Sequence, residues 1–361
     1  MQIDSVHFYV TDAGKTSNWF THYLGFQVID TYQDEHTYTE VVEHNSIYFV
    51  ISSACSKTSP VACYLESHPE GIVDVAFRVD NLQSILDRAT KLNIRILQPL
   101  QQQDEIQYAR IAGWDCLEHS LIESPATNHY YFLPDHLVKS PVLASQTTPQ
   151  FTNIDHIVLN VAMGELNSAV AYYQNLFEFE IQQTFKIQSQ LSGLSSQALI
   201  DSTGQLQFNI NEPSDPHSQI QEFIELNNGA GIQHLALRSR SASALPRSRD
   251  LISTVSQMRS RGVKFLPIPT SYYQNLQAKI NHHSLAISET ELQAIAQQEI
   301  LVDWHQDKPQ SLLMQIFTQP ILEKPTFFLE LIERRQQAKG FGEGNFQALY
   351  EAVEQSQVKS N

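Results

Sequence analysis

Two imidazoles and a carboxylate, His156, His234 and Glu330, stand in the second half of this 361-residue chain where its first half has Ser5, Asp74 and Ser120. The comparison is possible because the sequence repeats. IDSVHFYV (3–10) resembles IDHIVLNV (154–161), GIVDVAFRV (71–79) resembles GIQHLALRS (231–239), and HSLIE (119–123) parallels LELIE (329–333). Only the second copy is equipped to bind a metal. Two neutral imidazoles and one carboxylate leave up to three coordination positions open, the facial arrangement that suits non-haem Fe(II) handling dioxygen. A lone histidine on an apolar strand is more often a core residue than a ligand, and that plain reading holds for any one of these taken singly. Three ligand-type residues changed in register against one repeat weigh toward a metal, because a buried Glu330 needs a partner in an apolar wall.

The elements that must position these residues follow from periodicity. Strand alternation puts His156 on a face with Ile154 and Val158, His234 with Ile232 and Ala236, and Glu330 with Phe328 and Ile332. Each first strand leads into aromatic and aliphatic residues at helical spacing: Trp19, Phe20, Tyr23 and Leu24 before Gly25, and Val170, Tyr173, Leu176 and Phe177. Each second strand leads into an amphipathic helix marked by Leu82, Ile85, Leu86 and Ala89, or by Leu251, Val255 and Met258. Single helices among strands imply an α+β fold of two tandem domains, each with two βαββ-type modules in a curved mixed sheet. Residues 1–124 form the first domain, without metal ligands. Residues 125–152, with Pro125, Pro134, Pro141 and Pro149, are a linker. Residues 153–361 are expected to form the second domain, which carries the ligand-type residues and is interrupted by an irregular stretch at 270–310 with one short helix near ETELQAIAQQEI.

Composition limits the partners. A formal net charge of -16 and a pI near 5.2 give no footing for nucleic acid or an anionic membrane. The short basic runs, Arg334 with Arg335 and Arg247 with Arg249, read as solvated faces, and His217, His282, His283 and His305 read as exposed loop residues. Cys55, Cys63 and Cys116 are odd in number and lack a CxxC pair, which argues against a disulfide scaffold or zinc knuckle. With no signal-like start and no apolar run long enough to span a bilayer, a cytoplasmic protein is expected.

From about 151 to 355 the chain also resembles a known family. IDHIVLNV, SGLSSQALI, FNINEPSDPHSQIQEFIELNNGAGIQHLAL, FLPIPTSYY, LLMQIFTQP, FFLELIERR and GFGEGNFQALYEAVE, in that order, look like the 4-hydroxyphenylpyruvate dioxygenase family of the vicinal oxygen chelate superfamily. The resemblance implies paired βαβββ modules, Fe(II) as cofactor, and His156, His234 and Glu330 as its ligands. It also implies conversion of 4-hydroxyphenylpyruvate and O2 to homogentisate and CO2 by decarboxylation, ring hydroxylation and side-chain migration.

Residue by residue, it assigns Ser196, Asn211, Gln219, Gln233 and Gln315 to a polar network on the substrate, and Phe317, Phe328, Phe341 and Phe346 to an aromatic wall. Asn209 and Asn345 join the substrate-binding set, and Gln233, Gln315, Asn211 and Phe346 are the residues expected nearest the chemistry. The family often carries proline where this chain has Asn209, and often a small or acidic residue at Asn228. The segment from Gly340, Gly342 and Gly344 into a helix marked by Phe346, Leu349, Tyr350 and Val353 is expected to gate the pocket. A homo-oligomer, dimer or tetramer, is expected. Two rivals stand beside this reading. A 4-hydroxymandelate synthase would use the same iron and substrate, and its relatives tend to carry a smaller aliphatic residue at the Phe346 position. The other rival is a metal-free binding protein of the same fold.

Overall fold

The computed structural model describes residues 1–124, 130–132, 137–139, 150–188, 193–240, 250–283, 285–305 and 307–345. The first copy contributes β1 (Gln2–Tyr9), β2 (Gln27–Gln33), β3 (Thr37–His44), β4 (Ile47–Ala54), β5 (Gly71–Arg78), β6 (Ile96–Gln103), β7 (Ile106–Ala112) and β8 (Glu118–Glu123). A short pair, β9 (Tyr130–Phe132) and β10 (Leu137–Lys139), lies within the segment read as a linker. The second copy contributes β11 (Phe151–Asn160), β12 (Glu180–Gln188), β13 (Gly193–Ile200), β14 (Gln207–Pro213), β15 (Gly231–Ser239), β16 (Leu301–His305), β17 (Lys308–Phe317) and β18 (Phe328–Arg334).

The two eight-stranded sheets have the same order, β2-β3-β4-β1-β5-β8-β7-β6 and β12-β13-β14-β11-β15-β18-β17-β16. Each is therefore two βαβββ modules joined through an antiparallel central pair, one strand per module more than the spacing alone suggested. The expected helices form at Leu166–Phe177, Leu82–Lys91 and Leu251–Ser260, burying the residues named above. The first helix differs: after Ala13–Trp19 it widens to a π-turn, Phe20–Leu24, before Gly25 takes φ +76°. The stretch 270–310 is not irregular. It holds a helix at Thr270–His283, a second at Glu289–Gln297, and then β16. The first of these buries only Tyr273, Leu276 and Ile280, a stripe too narrow to stand out among polar residues.

One apolar core runs through both copies. Phe8 meets Phe327 edge-on at 5.3 Å and Phe77 meets Phe177 at 5.3 Å, so rings from the two repeats interlock. His119 is fully buried at this seam, with Nδ1 on the Val75 carbonyl at 3.0 Å and Nε2 on the Tyr173 hydroxyl at 3.1 Å. Burial pulls its imidazole down to about 4, against the opposing Val75 carbonyl and Asp74. His7, on β1, is pulled down to about 3 by burial and by Arg110.

Both histidines thus fold neutral. Between pH 6.5 and about 4 the unfolded chain binds more protons, so stability falls as the pH falls, by about 1.4 kcal/mol per pH unit for each group. Burial raises Asp4 to about 6 and Glu43 to about 7, which acts in the opposite sense over this range, so the histidine share is read as a difference: from pH 7 to 6 to 5 the urea midpoint of wild type should lose ground to that of His119→Gln. Parallel slopes for the two proteins would show that His119 does not titrate on unfolding.

Among the described residues no helix is long and apolar enough to cross a membrane. The three cysteines are unpaired.

Candidate metal centre

The register explains how three distant residues meet. In β11 the pairing runs Ile154↔Leu237 and then His156↔Ala236, which leaves Asp155 as the extra residue of a bulge. In β15 it runs Val158↔His234 and then Leu159↔Ile232, with Gln233 in the bulge. A bulge inserts one residue and reverses the alternation beyond it. Ile154 and Ile232 therefore pack toward the main core, opposite to His156 and His234, contrary to simple alternation. Val158 and Ala236 keep the ligand face, as expected. Parallel pairing of β15 with β18 sets Ala236 beside Glu330 and His234 beside Phe328, so all three ligand-type side chains rise from one face.

Their donor atoms lie within 4.8 Å of one another. His156 Nε2 is 3.1 Å and His234 Nε2 is 3.6 Å from Glu330 Oε2. All three are buried, and Glu330 Oε1 has no hydrogen-bond partner among the described residues. Burial would pull His156 down, but Glu330 and Asp155 outweigh it and raise the imidazole to about 9. Glu330 is held below its ordinary range although burial opposes this, because both imidazoles face it. His234 is lowered by burial, only partly offset by Glu330. Absent a cation, the positive charge that balances this carboxylate would be a proton on His156. A buried carboxylate with an unmatched oxygen and two converging imidazoles fits a divalent transition metal in place of that proton.

The first copy shows the same positions without the chemistry. Ser5 pairs with Ala76 as His156 pairs with Ala236, and Asp74 accepts from the Ser120 amide at 2.9 Å and from its hydroxyl. That carboxylate is already satisfied.

Around the triad stands an aromatic wall. Phe328 stacks on His234 at 4.7 Å, Phe317 meets the same ring edge-on at 6.2 Å, and Phe341 meets His156 edge-on at 5.4 Å. Phe185, with Ala198, packs against Phe341 and was not singled out by sequence reasoning. Gln315 is fully buried and neither carboxamide atom has a partner among the described residues. Ser196, paired with Asn211, and Asn209, paired with Ala198, share the inner face of β13 and β14. Asn209 Oδ1 is unpartnered among the described residues, and Asn211 donates to Asn160 Oδ1 at 3.2 Å.

Other expected site residues sit on neighbouring elements. Gln233 occupies the bulge before His234, and Gln219 opens the helix Gln219–Asn227 beyond β14. Asn345 is buried and accepts from the Tyr272 hydroxyl at 2.8 Å, which latches the chain's described end to the Thr270–His283 helix. Phe346 and the expected gating helix, like Arg247 and Arg249, lie outside the described residues.

The reading of Arg334 and Arg335 as a solvated face was wrong. Arg334 is buried on Asp155, and Arg335 pairs with Glu333 and Glu291. One signal could have found Asp155: the repeat carries Asp4 at the same bulge, bound by Arg78.

Comparison with known proteins agrees with this geometry. The model of the "Glyoxalase/Bleomycin resistance protein/Dioxygenase superfamily" matches residues 2–111 and 153–280. An uncharacterised protein of Synechocystis is 35% identical over 98% of this chain and 97% of its own. A 4-hydroxyphenylpyruvate dioxygenase of Dictyostelium discoideum is 33% identical over 98% of this chain and 97% of its own. Among solved structures, a mutant of 4-hydroxymandelate synthase from Streptomyces coelicolor superposes with a TM-score of 0.84 at 25% identity, covering 99% of this chain and 98% of that one.

Proposed function

Because the chain belongs to the 4-hydroxyphenylpyruvate dioxygenase family, within the glyoxalase/bleomycin resistance protein/dioxygenase superfamily, we propose that it converts 4-hydroxyphenylpyruvate and O2 to homogentisate and CO2. The observation that carries this reading is the convergence of His156, His234 and Glu330, three ligand types on one buried face. We assign them as the ligands of Fe(II). Bound there, the ion supplies a chelating position for the 2-oxo acid and the activation of dioxygen.

The chain's own residues position and shield. Phe317, Phe328 and Phe341 keep water from the metal face, and the Gln315 carboxamide and Asn209 Oδ1, without partners among the described residues, together with Ser196 and Asn211, offer hydrogen bonds to the phenol and carboxylate ends. A site whose buried polar groups await a ligand rejects molecules lacking the matching groups. Gln219, Gln233 and Asn345 complete the proposed polar set, and Phe346 the aromatic one. In this reading residues 153–361 are the catalytic domain, 125–152 the linker, and 1–124 a supporting domain.

The 4-hydroxymandelate synthase neighbour, similar over the whole chain, keeps benzylic hydroxylation as the second reading. The deciding experiment is anaerobic reconstitution with Fe(II), then addition of substrate and oxygen, with products separated by chromatography. Homogentisate with matching oxygen uptake is expected. Hydroxymandelate would transfer the chain to the second reading, and no uptake by iron-loaded protein would remove the proposed substrate.

A further inference from the structure

Arg334 ends β18 four residues after Glu330, and its side chain is 4% exposed. Nε donates to Asp155 Oδ2 at 2.8 Å and Nη2 to Asp155 Oδ1 at 2.6 Å. On the other side Nη1 donates to the carbonyls of Ala338 at 3.1 Å and Gly340 at 2.8 Å. Asp155 Oδ1 also accepts from His156 Nδ1 at 3.1 Å, which fixes the proton there and turns Nε2 toward Glu330. Segment 338–342 is the cover of the site. Ala338 packs on Ala236, Leu313 and Ile332, Phe341 stands on His156, and Gly342 lies against the Gln315 carboxamide.

We propose that Arg334 is a positioning residue that fixes the His156 imidazole through Asp155 and the 338–342 cover through two carbonyls, so that ligand geometry and closure are set by one guanidinium. The proposal rests on the metal reading of the site. Comparison of the repeats supports it. In the first copy the bulge carboxylate Asp4 is held by Arg78, and Ser124 stands in the place of Arg334. In the second copy the counterpart of Arg78 is Arg238, which lies 3.9 Å from Asp155, is 38% exposed and lines a cavity of about 430 Å³ between the copies. The copy equipped with ligands has thus exchanged the bulge's cation for one that also reaches the cover. A lysine cannot replace it, because a single ammonium cannot span both sides as a planar fork does.

The test uses Co(II) on the full chain, with dissociation constants from chelator competition, the visible spectrum of the bound ion, and hydrogen exchange of amides 338–345. Asp155→Asn should weaken Co(II) about 10- to 100-fold and alter the spectrum, with exchange at 338–345 unchanged. Arg334→Lys should move all three, and Arg334→Lys with Asp155→Asn should lose less than the product of the single effects. A lower melting temperature with wild-type Co(II) affinity and spectrum in both single variants would reduce Arg334 to a packing residue and overturn the proposal. If wild-type protein itself binds no Co(II), the metal reading fails, a result distinct from the first. Should Arg334→Lys not fold, an unaltered spectrum in Asp155→Asn still overturns the link to His156.

Discussion

Glu330→Ala should lower turnover of 4-hydroxyphenylpyruvate by at least about 10³-fold and abolish the rise in melting temperature that divalent metal is expected to give the wild-type protein. The first effect follows from losing a charged group proposed to ligate the metal, since loss of groups one shell further out already costs about 10- to 100-fold in affinity or activity. The second follows from linkage: an ion at about 1,000 times its dissociation constant stabilises the fold by about 4 kcal/mol, and a chain that cannot bind gains nothing. Without metal the variant should melt below wild type. Both imidazoles face the buried Glu330 carboxylate and hold it ionised, so removing it takes away the group that balances the His156 charge. His234→Ala should behave alike. A Glu330→Ala protein that keeps a metal-dependent shift would place the metal elsewhere.

Gly342→Ala is the second large effect, because it closes the site from the cover rather than from the sheet. Gly342 has φ +77°, and a Cβ there would overlap the Gln315 carboxamide. An L-residue in that region costs about 1–2 kcal/mol, and the overlap must push either the cover or Gln315 out of place. Gln315 is fully buried and has no partner for its polar atoms among the described residues, so displacing it removes groups proposed to meet substrate. We expect kcat/KM to fall about 10- to 100-fold, equivalent to roughly 1.4–3 kcal/mol. Gly164→Ala is the control. Its φ is +86° but nothing lies within 4 Å of the added carbon, so it should cost similar stability and leave kcat/KM unchanged. Equal kinetic losses in both variants would show that backbone strain, and not contact with Gln315, is the cause.

Much of the site was legible because the chain contains its own comparison. His156, His234 and Glu330 stood out against Ser5, Asp74 and Ser120, and the structure pairs those positions in matching register. Periodicity placed the helices at Leu82–Lys91, Leu166–Phe177 and Leu251–Ser260, since each hides a broad apolar face. The helix at Thr270–His283 hides a narrow one and was passed over.

The sequence by itself therefore determined the repeat, the α+β class and the three ligand types, all of which depend on residue identity at fixed spacing. The tertiary structure alone decided which way the strands face and who partners the charges. Bulges at Asp155 and Gln233 reverse the alternation that spacing predicts, and a bulge is set by pairing with a neighbouring strand, not by the strand's own residues. Arg334 reads as a surface charge in a polar run. It becomes a buried clamp because folding brings Asp155, 179 positions away, beside it, and only there can the ion pair offset the cost of desolvating both charges.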